Sequence, residues 1–199
     1  MRTDRHIRQS PKLPAQKRRD QLLKAAQALF VRKGYRATTT EAIARRAGLT
    51  KGALYFHFKN KEDILCELLR RALGQFADAF AAPGSKRLSP GDVLRLLNAI
   101  DAHRSMPRTR HNLDLRAEVL KLPHLRTHVN RVHREAVDIV AARLDPQYGR
   151  TKRQRRELAV LIFSLYDGLT LLHLMTPELV NIERQIALCE SLIGRRRKT

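Results

Sequence analysis

The sequence predicts an all-helical fold, and two observations carry that expectation. Apolar residues return every three or four positions along nearly the whole chain, the spacing that gathers them on one side of a helix. Between those runs stand Gly, Pro and short polar cap residues, placed where helices would stop and start. No stretch shows convincing strand character, and there is no internal repeat or low-complexity tract. With 199 residues, 43% of them hydrophobic, the chain is long enough for one substantial core or two small ones.

In order, residues 1–14 are basic, contain two prolines and lack periodicity, which reads as an arm. Leu22, Ala26, Leu29 and Phe30 mark a first helix that Gly34 stops. Short helices are expected over about residues 40–47 and 51–56. Asn60, with Asp63 three residues on, is a start signal for a long helix striped by Leu65, Leu68, Leu69, Ala72, Leu73, Phe76 and Phe80 and ended by Pro83-Gly84-Ser85. Ser89-Pro90 opens the next, where Pro at the first position forfeits no hydrogen bond, with Val93, Leu94, Leu97 and Ile100 on its apolar face. A shorter helix over about residues 112–121 ends at Leu122-Pro123, and Leu125, Val129, Val132, Ala136, Ile139 and Val140 define its successor. Residues 146–149 break that helix before an apolar one over about residues 152–175. Thr176-Pro177 is then expected to cap the last, with Leu179, Ile182, Ile186, Cys189 and Ile193 spaced 3, 4, 3, 4. Nine helices is the expected count.

Charge narrows the partner. Lys and Arg number 40 against 19 acids, for a net +21. Residues 1–61 hold 16 cations and 3 acids, while residues 62–199 hold 24 and 16. Such an excess favours a polyanion, because each cation laid on a phosphate releases condensed counterions. Charge alone does not separate DNA from RNA or an anionic membrane. Cys66 and Cys189 lie far apart in apolar helical patterns and read as buried thiols in a reducing compartment. The first twenty residues are polar and basic, and the most apolar segment, residues 158–175, contains Asp167, Gly168 and His173. A soluble cytoplasmic protein without a membrane partner is the expectation.

Enzyme signatures are missing: there is no P-loop, no dinucleotide glycine fingerprint and no Gly-x-Ser-x-Gly elbow. His124 and His128 could supply two metal ligands from one helix face, but no Cys or carboxylate completes a set. Asp114 and Glu118, also four apart, read as a helix surface or an ion pair. No cofactor, no metal and no catalysis is expected.

The informative segment runs from Thr38 to Lys61. Two short helices that cross steeply need a small residue where they touch, and Ala44 supplies it. The turn between them needs a backbone free to take positive φ, and Gly48 supplies that. Ile43, Ala47, Leu49 and Leu54 would lock the pair from inside. Arg45, Arg46, Thr50, Lys51, Tyr55 and His57 remain outward, a set suited to phosphates and base edges. The plainer alternative is a helical hairpin with a solvated basic face. The combination of apolar spacing, turn glycine and local charge favours a helix-turn-helix that binds double-stranded DNA.

These residues resemble the TetR/AcrR family of transcriptional regulators. The resemblance runs from about Gln16 to Leu69 through Ala26-x-x-Leu29-Phe30-x-x-Lys33-Gly34-Tyr35, Thr38-Thr39-x-x-x-Ile43-Ala44-x-x-Ala47-Gly48 and Lys51-Gly52-Ala53-Leu54-Tyr55-x-His57-Phe58-x-Asn60-Lys61-Glu62. Looser likeness follows in Arg116-Ala117-Glu118, Pro123-x-Leu125-Arg126 and Leu165-Tyr166-Asp167-Gly168-Leu169. It implies a three-helix DNA-binding domain over residues 15–61 and a helical effector-binding and dimerisation domain over residues 62–199. Carried over by position, Thr50, Lys51 and Gly52 would open the recognition helix. Tyr55 and His57 would contact backbone or bases, and Lys61 would hold a phosphate. Thr39 or Thr40 would cap the second helix and touch the DNA backbone. The family often has an acid where Ala42 stands; here Glu41 follows Thr38 by three, which leaves the capping threonine open.

The same resemblance implies a homodimer released from a pseudo-palindromic operator by a small effector, through a cavity in the C-terminal helices. Polar groups in otherwise apolar stretches are the candidates to line it: His103, Arg116, Tyr166, Asp167 and His173. A hydrophobic or amphipathic ligand suits such walls, and Arg116 leaves room for an anionic group. The seam of Leu179, Ile182, Ile186, Cys189 and Ile193 suits either a dimer interface or monomer core. Arg2, Arg5, Arg8 and Lys12 read as a solvated tail or as a minor-groove arm. Competing readings are an architectural DNA-binding protein without an effector and an enzyme using the C-terminal cavity.

Overall fold

Residues 14–81, 87–102, 117 and 119–194 are described by a computed structural model. Among them are eight α-helices: α1 (Ala15–Lys33), α2 (Thr40–Arg46), α3 (Lys51–His57), α4 (Lys61–Ala81), α5 (Pro90–Ala102), α6 (Pro123–Arg143), α7 (Lys152–Met175) and α8 (Ile182–Gly194). Residues 117 and 119–121 are helical as well, within the stretch where the shorter helix was expected. The single β-like pairing among the described residues joins Leu88 to Leu144. The arm over residues 1–13, the chain around Pro83-Gly84-Ser85, His103, Asp114, Arg116, Glu118 and the side chains of His124 and Ile193 lie outside the described residues.

Local chemistry explains most boundaries. Asn60 accepts from the Asp63 N–H at 2.8 Å, which caps α4. Ser89 and Asp92 exchange bonds at the start of α5 (Asp92 N–H to Ser89 Oγ, 3.1 Å; Ser89 N–H to Asp92, 2.9 Å), and Thr151 with Gln154 do the same for α7. Pro123 begins α6. The last helix departs from expectation. Residues after Thr176 turn, with Leu179 N–H donating to the Thr176 carbonyl, and α8 starts only at Ile182, capped by Asn181, whose side chain accepts from Arg184 N–H at 3.0 Å. Thr176-Pro177 therefore closes α7 and does not open α8.

Two apolar clusters form the interior. The first joins Leu22, Leu23, Ala26, Leu29, Phe30, Tyr35, Ile43, Ala44, Leu54 and Phe58 with Ile64 and Leu65 of α4, and it also takes in Val119 and Leu125. The second contains Phe76 and Phe80 of α4, Val93, Leu94 and Leu97 of α5, Val140 and Leu144, Ile162 and Tyr166 of α7, and Ile186. Helix α4 thus serves both clusters, so the core around the helix-turn-helix extends well beyond residue 61. It packs along α6, which in turn packs along α7.

Candidate nucleic-acid interface

Short-range devices set the helix-turn-helix. Gly34 ends α1 at φ +80°, with its N–H on the Phe30 carbonyl at 3.0 Å. Thr38, buried, donates its hydroxyl to the Gly34 carbonyl at 2.7 Å. It is therefore a strut of the turn and not a cap. Thr39 caps α2 instead, accepting from Ala42 N–H at 3.1 Å. Gly48 then turns the chain at φ +68°, and the Leu49 N–H reaches the Ala44 carbonyl at 2.9 Å. Thr50 caps α3 through Ala53 N–H at 3.1 Å. Ile43, Ala44 and Leu54 are buried between the helices, and Ala47 and Leu49 pack partly against them.

The outward set lies on α2, on α3 and in the turn between them. Arg45, Arg46, Thr50, Lys51, Gly52 and Tyr55 are exposed, while Thr40 and His57 are half-buried. The Tyr55 hydroxyl lies 3.2 Å from Thr40 Oγ1, whose own proton points at Glu41 at 3.3 Å. Lys51 forms an ion pair with Glu41 and sits 5.8 Å above the Tyr55 ring. Lys51 holds the Glu41 carboxyl down at about 2, and Glu41 raises the Lys51 ammonium in turn. Phe56, absent from the expected contacts, is 81% exposed and meets His57 edge-on at 5.1 Å between centroids. An aromatic in a helical motif reads as core, and only the geometry shows it turned outward.

Lys61 sits differently from the expectation of a phosphate contact. Its ammonium donates to the carbonyls of Tyr35 (2.9 Å), Arg36 (3.3 Å) and Thr38 (2.9 Å) and lies 4.3 Å above the Tyr35 ring. It ties α4 to the turn between α1 and α2. Behind the frame, Glu67 of α4 takes Arg19 of α1 (2.9 Å), Arg70 (2.8 Å) and Arg71 (3.1 Å), and Arg71 also reaches Asp20 at 2.6 Å. Arg70, foremost, holds the Glu67 carboxyl well below the usual range, and Arg71 lowers that of Asp20. The Arg19–Glu67 and Arg71–Asp20 partners stand 48 and 51 residues apart, beyond the reach of spacing arguments.

The other expected sites are dispersed. Tyr166 is buried, donating its hydroxyl to Asp101 at 3.0 Å, and Asp167 is half-buried beside it. His173, its Nδ1 2.9 Å from the Val180 carbonyl, lines a shallow depression of about 440 Å³ together with Asn98, Asn181 and Glu183. Ile182, Ile186 and Cys189 face the second cluster, with Ile186 fully buried, and Leu179 stands outside the helix, exposed. What α7 and α8 leave uncovered is another set, above all Leu161, Leu172 and Met175 with Leu188 and Leu192. Helix α7 is the one described helix long and apolar enough to cross a membrane, yet Ala159, Ile162, Tyr166 and Thr170 bury its inner side.

A sequence-family model described as bacterial regulatory proteins, tetR family, matches residues 22–68. The fatty acid metabolism regulator protein of Bacillus subtilis is 33% identical over 93 residues, 47% of each chain. The transcriptional repressor KstR2 of Mycolicibacterium smegmatis is 48% identical over 61 residues, 31% of this chain and 29% of that one. The chain thus spans less than half the length of these curated relatives. Over the whole fold, the crystal structure of the regulator FadR from Bacillus subtilis in complex with stearoyl-CoA superposes with a TM-score of 0.58, covering 88% of this chain and 95% of that one at 23% identity. The tetR-family match falls on the helix-turn-helix, the C-terminal helices follow the fold of that solved regulator, and the chain is thus similar to TetR/AcrR-type regulators in its N-terminal domain and in its overall fold.

Proposed function

We propose that this chain is a repressor that binds a pseudo-palindromic DNA operator as a homodimer and leaves it when a small hydrophobic or amphipathic ligand binds. The observation that carries the reading is the exposed face of Arg45, Arg46, Thr50, Lys51, Gly52 and Tyr55 around a capped α3, held on a rigid frame. Hydroxyls, cations and an aromatic on a short exposed helix are the groups that reach phosphates and base edges in a major groove. Selection of DNA from a random pool by the pure protein should return a two-fold symmetric site. At matched salt the protein should prefer that site to random DNA by about a thousandfold or more. Replacing Lys51 with Ala should weaken the selected site about tenfold or more and relax preference at one or two base pairs. Equal affinity for the selected and random duplexes would favour the architectural reading.

Support for dimerisation lies in the uncovered apolar face of α7 and α8, which a second copy would cover. Support for ligand release lies in the packing of Val119, Leu122, Leu125 and Val129 against Leu65, Cys66, Leu68 and Leu69 of α4. A ligand that shifts α6 thereby shifts the reading heads. The stearoyl-CoA bound by the structural relative makes acyl thioesters and free fatty acids the first compounds to try. Release requires the ligand to prefer the form whose heads are wrongly spaced. Operator must then weaken ligand binding by the same factor. A compound that raises Tm yet leaves operator affinity unchanged is bound without being an effector. Cytoplasmic location follows from this reading.

A further inference from the structure

Between residues 14 and 61 the chain has two acids, Asp20 and Glu41. Asp20 is spoken for by Arg71 of α4, away from the reading face. Glu41 is half-exposed in the first turn of α2, ion-paired to Lys51 at the first position of α3. The pair is braced on both sides, since Thr40 donates to Glu41 and accepts contact from Tyr55, over whose ring the Lys51 ammonium lies. A carboxylate on a face that must approach a lattice of phosphates is repelled by it. Its effect therefore depends on what Lys51 meets. A phosphate is an anion and competes with Glu41 for the ammonium. A base acceptor, such as guanine O6 or N7, is neutral and takes one N–H while Glu41 keeps another.

We propose that Glu41 is a selectivity residue: as the internal counter-ion of Lys51, it blocks that lysine from binding phosphates indiscriminately and leaves it free to read a base. The inference rests on the DNA-binding reading above and adds to it a residue that lowers affinity for DNA in general. The consequence is measurable in two ways. With Glu41 in place, Lys51 releases no counterion on random DNA; without it, Lys51 becomes one more phosphate contact.

The test compares Glu41→Gln, Lys51→Ala and the double variant with the parent, each titrated with selected operator and random duplex across a salt series. Glu41→Gln should tighten random DNA about threefold or more at low salt and steepen its salt slope by about 1. Operator should gain less, so the operator-to-random ratio falls. In the Lys51→Ala background the same replacement should leave that ratio unchanged. An equal gain on both duplexes in the parent background would reduce Glu41 to a general repulsive charge and overturn the proposal. An equal fall of the ratio with and without Lys51 would overturn it too, by making Glu41 a base reader in its own right. Failure of the parent to select any site would remove the DNA-binding reading itself, and this inference with it.

Discussion

The ammonium of Lys61 is surrounded by three carbonyls of the turn between α1 and α2, which use all the N–H donors an ammonium has. From sequence the same lysine, at the head of a helix in a basic domain, reads as a phosphate ligand. The two roles predict different variants. Lys61→Met removes the donors that the Thr38 carbonyl takes in a partly buried place, and leaves the Tyr35 carbonyl to the Thr38 N–H at 3.3 Å. It should destabilise the domain by about 1–3 kcal/mol in urea unfolding, while the salt slope on random DNA stays that of the parent. A slope lower by about 1 with stability unchanged would restore the phosphate contact. The residues that were legible here are those whose role is set by near neighbours: Gly48 at positive φ, Ala44 at the crossing, Leu54 in the core. Thr38, Thr39 and Thr40 were not separable from spacing. Which of three consecutive hydroxyls faces the α2 N–H groups depends on how the turn after Gly34 aims the chain, and the Thr38 bond to Gly34 decides it.

Helices were legible where caps and periodicity agreed, as at Asn60 and Ser89. They were misread where a proline gave two acceptable boundaries. Thr176-Pro177 has the form of a start, yet Asn181 takes the cap one turn later, so Leu179 falls off the helix whose seam it was expected to open. The contacts that hold one element to another were invisible for a simpler reason: Arg19, Asp20, Glu67 and Arg71 are ordinary surface charges until α1 and α4 are laid side by side. That junction makes a pH prediction. The Glu67 and Asp20 carboxyls both lie below their usual values in the folded chain. The unfolded chain therefore binds more protons in the acid range. Their contribution is fully present above about pH 5 and is lost progressively as pH falls through about 4 and below. Urea midpoints measured from pH 7 to pH 3 should be level at first and then drop. Glu67→Gln should start lower and fall less over the same interval; a parallel fall would show that this carboxylate does not drive the acid sensitivity.

At the scale of the molecule, the question is what covers the outer side of α7. Leu161, Leu165, Leu172 and Met175 are exposed along it, and Gly168 falls between them at the same helical spacing, with open space where a Cβ would stand. Leu188 and Leu192 extend the patch onto α8. Apolar residues recurring at intervals of four and three around a central glycine fit a helix approached closely by another, and so large an exposed apolar face marks an interaction site. Of the seam expected from sequence, which has the same period, Ile182, Ile186 and Cys189 belong to the interior, where they face the second cluster and Arg95 of α5 forks onto Glu190 beside them. Periodicity finds a helix with an apolar stripe; it does not say whether the stripe meets the same chain or another. Substitutions separate the two. Leu172→Arg places a charge on the outer face, where the half-exposed side chain costs the monomer little, so it should yield a helical, cooperatively melting monomer by light scattering. That monomer should bind operator at least tenfold more weakly than the parent, since half-site affinities no longer combine. Ile186→Arg buries an unpaired charge and should fail to fold at all. If Leu172→Arg remains a dimer of parental mass while Ile186→Arg gives a folded monomer, the interface lies on the inner seam after all and the arrangement of α7 and α8 described here is wrong.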